Sequence, residues 1–191
     1  QPSFDRRMVM FDLNYFKYCF LKPSGLEFDE VLLQDDFEKL ADDLLVSDTD
    51  TFLYRDFNAR NVMIKDGEPY FVDFQGGRRG PVFYDVASFA WQARAKFTED
   101  QKEMMLKAYL DAYSQYSSMG EQDFRSSLRL FVLFRLLQVL GAYGFRGWVE
   151  HKANFVTSIP AAISELKTWL AAPSDRYPYL MQTLERLVAL S

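Results

Sequence analysis

The sequence predicts a mostly helical α+β fold, a helical bundle with one small β-hairpin unit set between its helical blocks. Three observations predict it. Apolar residues recur at helical spacing before Ser47 and again after Pro81. Between these blocks lie short runs rich in β-branched and aromatic residues, and two of the runs flank Asp66-Gly67. Asp-Gly between apolar runs is a hairpin signal, because both turn residues can take positive φ.

In chain order, Met8, Phe11, Leu13, Tyr15, Phe16 and Phe20 give a helix over residues 5–20, ended by Pro23 and Gly25. Residues 29–46 repeat the pattern through Val31, Leu32, Phe37, Leu40, Leu44 and Leu45. Their acids fall on the other face, where solvation is the simplest explanation. Short strands follow at 51–54, 61–65 and 69–73, then a Gly-rich loop at 76–81. Helices are expected over 84–95, 99–117, 121–143, 161–171 and 178–190, with Pro160, Pro173 and Pro178 punctuating the later ones. The helix over 121–143 is apolar nearly all round, as a central bundle helix would be.

Totals bound the function. Residues 1–191 are expected to form a single domain, since a chain of this length buries roughly 70% of its unfolded surface. With 22 Lys and Arg against 27 Asp and Glu, the net charge of −5 argues against a nucleic-acid partner, whose phosphates need clustered cations. The apolar stretch 128–145 is interrupted by Arg129, Arg135 and Gln138, short of the ~20 clean apolar residues of a membrane span. No membrane partner is expected. A single cysteine, Cys19, cannot form an intramolecular disulfide, and no secretory signal opens the chain, so a cytoplasmic setting is expected. The chain begins with Gln1, not Met, and is expected to be a piece of something longer.

The chemistry gathers in FLYRDFNARNVMIKDGEPYFVDFQGG, residues 52–77. Asp56 and Asn61 sit five apart on a loop after a short strand, and Asp73 ends the second hairpin strand. A hairpin folds that strand back, so Asp73 returns to the neighbourhood of Asn61. Asn and Asp supply the hard oxygens that Mg²⁺ prefers, with positions left for water and phosphate, and the remaining Asp can accept a proton. This is the order of kinase-type phosphoryl transfer: an Asp that accepts the acceptor's proton, an Asn five residues on, then an Asp-Phe pair. A protein kinase also needs an activation segment ending in Ala-Pro-Glu. Only eleven residues separate Asp73 from Asp85 and that tripeptide is absent from the sequence, so a small-molecule acceptor is expected.

From about Asp5 to its end the chain resembles the C-terminal lobe of the aminoglycoside phosphotransferase and choline kinase superfamily. YRDFNARNVM and DFQGGRRGPVFYDVAS look closest to bacterial kinases that phosphorylate the anomeric hydroxyl of cell-wall amino sugars. The resemblance implies a protein-kinase-like C-terminal lobe, with the small β unit carrying the catalytic loop. It further implies ATP as phosphoryl donor, Mg²⁺ as cofactor and a sugar or amino sugar as acceptor. It assigns the catalytic base to Asp56, the metal ligands to Asn61 and Asp73, and a structural role to Asp85. Tyr54 stands where the family carries His, a position that anchors the loop. Other acceptors in the superfamily are aminoglycosides and choline; a catalytically silent domain that binds a ligand or a partner protein is the alternative of another class.

Outside this core, Arg78 and Arg79 are candidates to steady phosphate, or form a solvated turn. The segment GAYGFRGWVEHK, residues 141–152, is a candidate for acceptor recognition through Tyr143, Arg146 and Trp148, with aromatic packing at a helix junction as the plainer alternative. Its three glycines are expected to break the end of the buried helix. Asp85 is expected to cap or serve the first turn of its helix.

Kinases of this kind hold nucleotide with a Gly-bearing loop and a strand Lys in an N-terminal lobe. The 55 residues before Asp56 read as helices and contain one glycine, Gly25, so the nucleotide lobe is expected to be missing from this chain. The 191-residue chain alone should therefore show negligible ATP-dependent phosphoryl transfer. A radiometric assay of the isolated chain checks this, and robust turnover would refute it.

Overall fold

The computed structural model describes residues 3–47 and 50–190. Two compact units emerge, one from Gln1–Phe4 and Ser47–Val132, the other from Asp5–Val46 and Leu133–Ser191. Helices dominate and the strands are short and antiparallel, which is the expected α+β class.

The first unit holds two two-stranded sheets. Strand β2 (Val62–Lys65) pairs with β3 (Glu68–Phe71), and the turn residues Asp66 and Gly67 have φ of 55° and 84°, as a two-residue hairpin turn requires. Strand β1 (Thr51–Leu53) pairs with β4 (Arg78–Gly80), which lies inside the stretch expected as a Gly-rich loop. Packing explains the difference: a Cβ on Gly80 would lie 2.3 Å from Leu53 Cδ1, so glycine lets the two strands close over a buried leucine. Helix α3 (Val82–Ala90) follows. It stops short of residue 95 because the Gln92 side-chain amide donates to the Phe89 carbonyl at 2.9 Å, replacing the next helical turn. Helix α4 (Glu99–Tyr113) starts in a reciprocal cap between Thr98 and Gln101. Phe83 anchors the core, its ring 5.0 Å from Phe124 and 5.5 Å from Phe131, with Phe4 set against Phe131 and Tyr84. The last two contacts bring the N-terminal residues into this unit, where the Phe4 N–H also donates to the Arg79 carbonyl.

The second unit is all helical. Helix α1 (Arg6–Phe16) is capped by Asp5, widens into a π-helical turn at Lys17–Leu21, and stops at Gly25 with φ 81°. Helix α2 (Glu30–Leu45) starts at the Asp29 cap. Helix α5 (Glu121–Gly144) gives residues 121–132 to the first unit and the rest to this one, then continues as a π-helical turn at Phe145–Val149. A short α6 (Ala153–Val156), not foreseen from the sequence, precedes α7 (Ile159–Trp169) and α8 (Pro178–Ala189).

Two expectations are corrected here. Gly141 and Gly144 do not break α5. A Cβ on Gly141 would lie 2.9 Å from the Phe16 nitrogen, and one on Gly144 would lie 2.1 Å from the Cys19 carbonyl oxygen. The glycines admit the backbone of α1 and its π-helical turn, an approach that packing rewards although local propensity disfavours glycine. Nor are all the acids of α2 merely solvated: Asp35, Glu38 and Asp42 are exposed as expected, but two others are drawn into the protein. Asp36 is 2% exposed and accepts the N–H groups of Tyr179 and Leu180 at 2.8 and 2.9 Å, capping α8 from another helix. Asp43 binds Arg176 and the Tyr177 hydroxyl, and Glu38 and Asp42 both bind Arg6. Burial raises the Tyr177 phenol well above its ordinary value, and the Asp43 carboxylate adds to the effect.

The helical run Glu121–Val149 carries an 18-residue window of mean hydropathy 1.5, long and apolar enough by composition to cross a membrane. More than half of that window is buried inside the protein, as befits a core helix. Phe124, Phe131, Phe134, Leu137 and Leu140 along it are wholly inaccessible.

Asp36→Ala leaves two N–H groups of α8 without their acceptor and should lower stability by about 2 kcal/mol, seen as a reduced denaturant midpoint. Gly144→Ala, which helix propensity alone would favour by about 1 kcal/mol, should destabilise instead, because its methyl group meets the Cys19 carbonyl.

Candidate active site

The candidate site is built in the first unit, where β1 runs into the segment 54–61. Tyr54 is nearly buried among the rings of Phe57, Phe71 and Phe52, and its hydroxyl donates to the Val72 carbonyl. Its backbone N–H donates to Asp85 Oδ2 at 2.6 Å, and the Arg55 N–H donates to Asp85 Oδ1 at 2.9 Å. Asp85 therefore satisfies backbone donors, as expected of it, and those shown belong to the loop thirty residues earlier. Arg55 needs this support: its φ of 76° is left-handed, an unfavourable conformation for a side chain with a Cβ.

Two amides organise the rest of the loop. Asn58 Nδ2 and Asn61 Nδ2 each donate to the Asp56 carbonyl at 2.8 Å. Asn61 is 5% exposed, and with its nitrogen committed to a carbonyl its Oδ1 is left to accept or coordinate. The Asn61 carbonyl in turn accepts the Val72 N–H at 3.0 Å, extending the β2–β3 ladder by one step. Asp73, immediately after Val72, leaves the strand with φ 68° and accepts the Gln75 Nε2 donor on Oδ1 at 2.7 Å. Asp56, Asn61 and Asp73 thus share one hydrogen-bonded end of the hairpin, with the Asp56 and Asp73 side chains exposed. The charge is concentrated: burial pushes the Tyr54 phenol up, and the carboxylates of Asp73, Asp56 and Asp85 push it further.

Among the described residues no three His, Cys, Asp or Glu side chains converge to hold a metal by themselves. The donors present, an amide oxygen on Asn61 and the Asp73 carboxylate, are hard oxygens. They fit Mg²⁺, which commonly completes its shell with water and phosphate oxygens.

The other sequence candidates have mixed surroundings. Arg78 is half-buried on β4, while Arg79 is exposed and ion-paired with Asp50. In the second unit Trp148 stacks on Phe20 at 4.9 Å, and Tyr143 and the exposed Arg146 both meet the Phe155 ring. That is aromatic packing at a helix junction, with the Arg146 guanidinium remaining at the surface.

Three features carry no role in the sequence alone. Asn58 and Gln92 support the loop, the latter through the Ala59 N–H at 3.2 Å. Gln75 contacts Asp73. A cavity of about 960 Å³ lies beside the loop, lined by Tyr54, Phe57, Phe71, Phe89, Asp85 and Tyr109 among others. Burial within it pushes the Tyr109 phenol up to about 12, with Tyr113 and Asp85 adding to the effect. The aromatic density of residues 52–57 and 70–74 is the signal from which this chamber is legible.

A fold of this class, with an Asp, an Asn and an Asp at one end of a hairpin, is what a phosphotransferase presents. Residues 17–121 match the family described as the phosphotransferase enzyme family (APH), and the chain belongs to that family. It is 27% identical over 199 residues to a protein of Neisseria meningitidis serogroup B named N-acetylmuramate/N-acetylglucosamine kinase, covering 99% of this chain and 57% of that protein. A Pseudomonas aeruginosa protein of the same name is 26% identical over 196 residues, covering 99% of this chain and 56% of the relative. The chain therefore spans little more than half the length of these curated relatives.

Asp85→Ala removes the acceptor of two loop N–H groups and should cost about 2 kcal/mol or more, measured by denaturant unfolding. Tyr54→Phe deletes only the hydroxyl. It should leave β1 intact and increase amide hydrogen exchange at residues 72–75, where the Val72 carbonyl loses its tether.

Proposed function

We propose that this chain is the C-terminal, catalytic and acceptor-binding lobe of an ATP- and Mg²⁺-dependent kinase that phosphorylates a hydroxyl of a small sugar, with an N-acetylated amino sugar as the favoured acceptor. The lobe is protein-kinase-like, and its small β unit carries the catalytic loop. One observation carries the reading: the Asn61 side chain is bonded to the Asp56 carbonyl while its backbone is bonded to Val72, next to Asp73. Asn61 is thereby tied to the Asp56 carbonyl on one side and to the strand end that carries Asp73 on the other. Family membership supports the reaction class, and the printed names of the two relatives support the acceptor class.

In this reading the exposed Asp56 carboxylate orients the acceptor hydroxyl and takes its proton. Asn61 Oδ1 and Asp73 hold the metal. When bound, Mg²⁺ neutralises charge on the phosphoryl group in transfer. Asp85 and Tyr54 keep the loop in register, so that base and acceptor meet without reorganisation. Arg78 and Arg79 steady the phosphates, with Arg79 drawing on the same guanidinium that pairs with Asp50. Tyr143 and Trp148 are taken up by packing on Phe155 and Phe20, and Arg146, with its charge at the surface, is the one of the three that remains a candidate for acceptor recognition. A nucleotide lobe outside this chain supplies the clamp on ATP. A cationic acceptor, an aminoglycoside or choline, draws little support from the acids of α2, because Asp36, Glu38, Asp42 and Asp43 are engaged within the protein.

The test is ATP-dependent phosphorylation by the full-length protein across amino sugars, neutral sugars, aminoglycosides and choline. Transfer to amino sugars is expected, and Asp56→Asn should reduce it by at least about 100-fold. No transfer to any acceptor despite nucleotide binding, or transfer indifferent to Asp56→Asn, would overturn the proposal in favour of a silent binding domain.

A further inference from the structure

We propose that Phe11, Tyr15 and Phe145 form a platform for the acceptor sugar on the second unit, and that Arg146 beside them sets specificity by pairing with a carboxylate on that sugar. The inference rests on the acceptor being a sugar, as proposed above. Phe11 and Tyr15 stand four residues apart on α1, so they share one face of the helix. Their rings lie 6.0 Å apart and within 11° of parallel, and the Phe145 ring is 5.7 Å from that of Tyr15. Phe11 is 66% exposed, which leaves a broad apolar surface facing water. The platform is braced from behind: a Cβ on Gly141 would lie 3.1 Å from the Tyr15 carbonyl carbon, so α5 backs onto α1 at this residue. Phe145 and Arg146 lie on the π-helical turn that continues α5, a distortion frequent at functional sites.

Two polar groups at the rim are uncommitted. Among the described residues the Tyr15 hydroxyl has no hydrogen-bond partner, and the Arg146 guanidinium makes no ion pair, resting 5.4 Å from the centre of the Phe155 ring. Burial raises the Tyr15 phenol above its ordinary value; Cys19, Glu150 and Asp12 push it further and Arg146 opposes them, so these groups all act at the edge of the platform. Glu150 is ion-paired with Lys152 at 2.7 Å, and the buried Asp12 accepts the Gln138 amide at 2.6 Å. The Arg146 charge is left without a counter-ion. A pyranose ring has an apolar face of C–H groups and a rim of hydroxyls, which suits aromatic rings edged by donors. A carboxylate on that sugar adds charge and two coplanar oxygens, the match for the paired N–H groups of a guanidinium. The rings therefore serve any such sugar, whereas Arg146 favours an acidic one.

The experiment is calorimetric titration of the full-length protein with N-acetylmuramic acid, which carries a carboxylate, and with N-acetylglucosamine, which does not. The two sugars are also assayed as phosphoryl acceptors. Arg146→Gln is expected to lower the ratio of the two affinities, acidic over neutral, on the order of 10-fold. Phe11→Ala, at an exposed position, should weaken both sugars and leave their ratio near that of the wild type. An unchanged ratio in Arg146→Gln overturns the role of Arg146, and unaltered affinities in Phe11→Ala overturn the platform. Binding and transfer separate this inference from the reading beneath it. Sugars that bind with these variant effects but receive no phosphoryl group would sink the proposed reaction and uphold the subsite; failure of both sugars to bind overturns the subsite, whatever other acceptors show.

Discussion

The geometry of the candidate site depends on one carboxylate receiving two backbone N–H groups. Asp85 stands on α3, and its two oxygens take the N–H groups of Tyr54 and Arg55. A left-handed residue that is not glycine costs of order 1–3 kcal/mol. Hydrogen bonds to a charged group contribute about 1.5–3 kcal/mol each, so two of them outweigh the strain at Arg55. The orientation of residues 56–61 follows from that balance. The amides of Asn58 and Asn61 then converge on the Asp56 carbonyl, and the hairpin begins in register from Asn61. Tyr54 adds a second tether, from the loop to the strand that delivers Asp73. The carboxylates proposed for chemistry remain exposed, whereas the groups that place them are largely withdrawn from water.

What could be read from the sequence was local. The Asp-Gly turn fixes a hairpin because it requires two left-handed residues in succession, and that register puts the residue before β2 beside the residue after β3. The meeting of Asn61 with the end of β3 was legible for that reason. Strand β4 was not, because Arg-Arg-Gly has no alternation and pairs only through the fit of Gly80 over Leu53. The partners of Asp85 lie thirty residues away in the chain, and no spacing rule connects them. Glycines in α5 read as breakers because propensity is a local quantity, while their use is a backbone contact with a helix more than a hundred residues earlier. The acids of α2 read as solvated for the same reason, since their partners Arg6, Arg176, Tyr177 and the start of α8 are remote.

The two units place their charge differently. In the second, acids are largely consumed as internal caps and ion pairs, and they fasten helices that meet through apolar stripes. In the first, Asp56 and Asp73 are exposed, beside loop residues that line an aromatic chamber. Arg79, in the middle of β4, and Asp50 compensate each other. Such a division lets packing be satisfied in one part of the chain while another keeps charge in reserve for a ligand.

The cap that Asp36 provides for α8 also bears on the order of events during synthesis. Its two donors, the Tyr179 and Leu180 N–H groups, leave the ribosome more than 140 residues after Asp36 itself. The second unit is assembled from both ends of the sequence, whereas nearly all of the first lies in one continuous stretch. Contacts of such long separation are slow to form, since a large loop must be closed before any of them is gained. The stretch bearing the candidate site can therefore collapse while translation continues, and α1 and α2 wait with open apolar faces until α8 arrives. For that interval the first unit is folded while α1 and α2 still lack the helix that Asp36 caps.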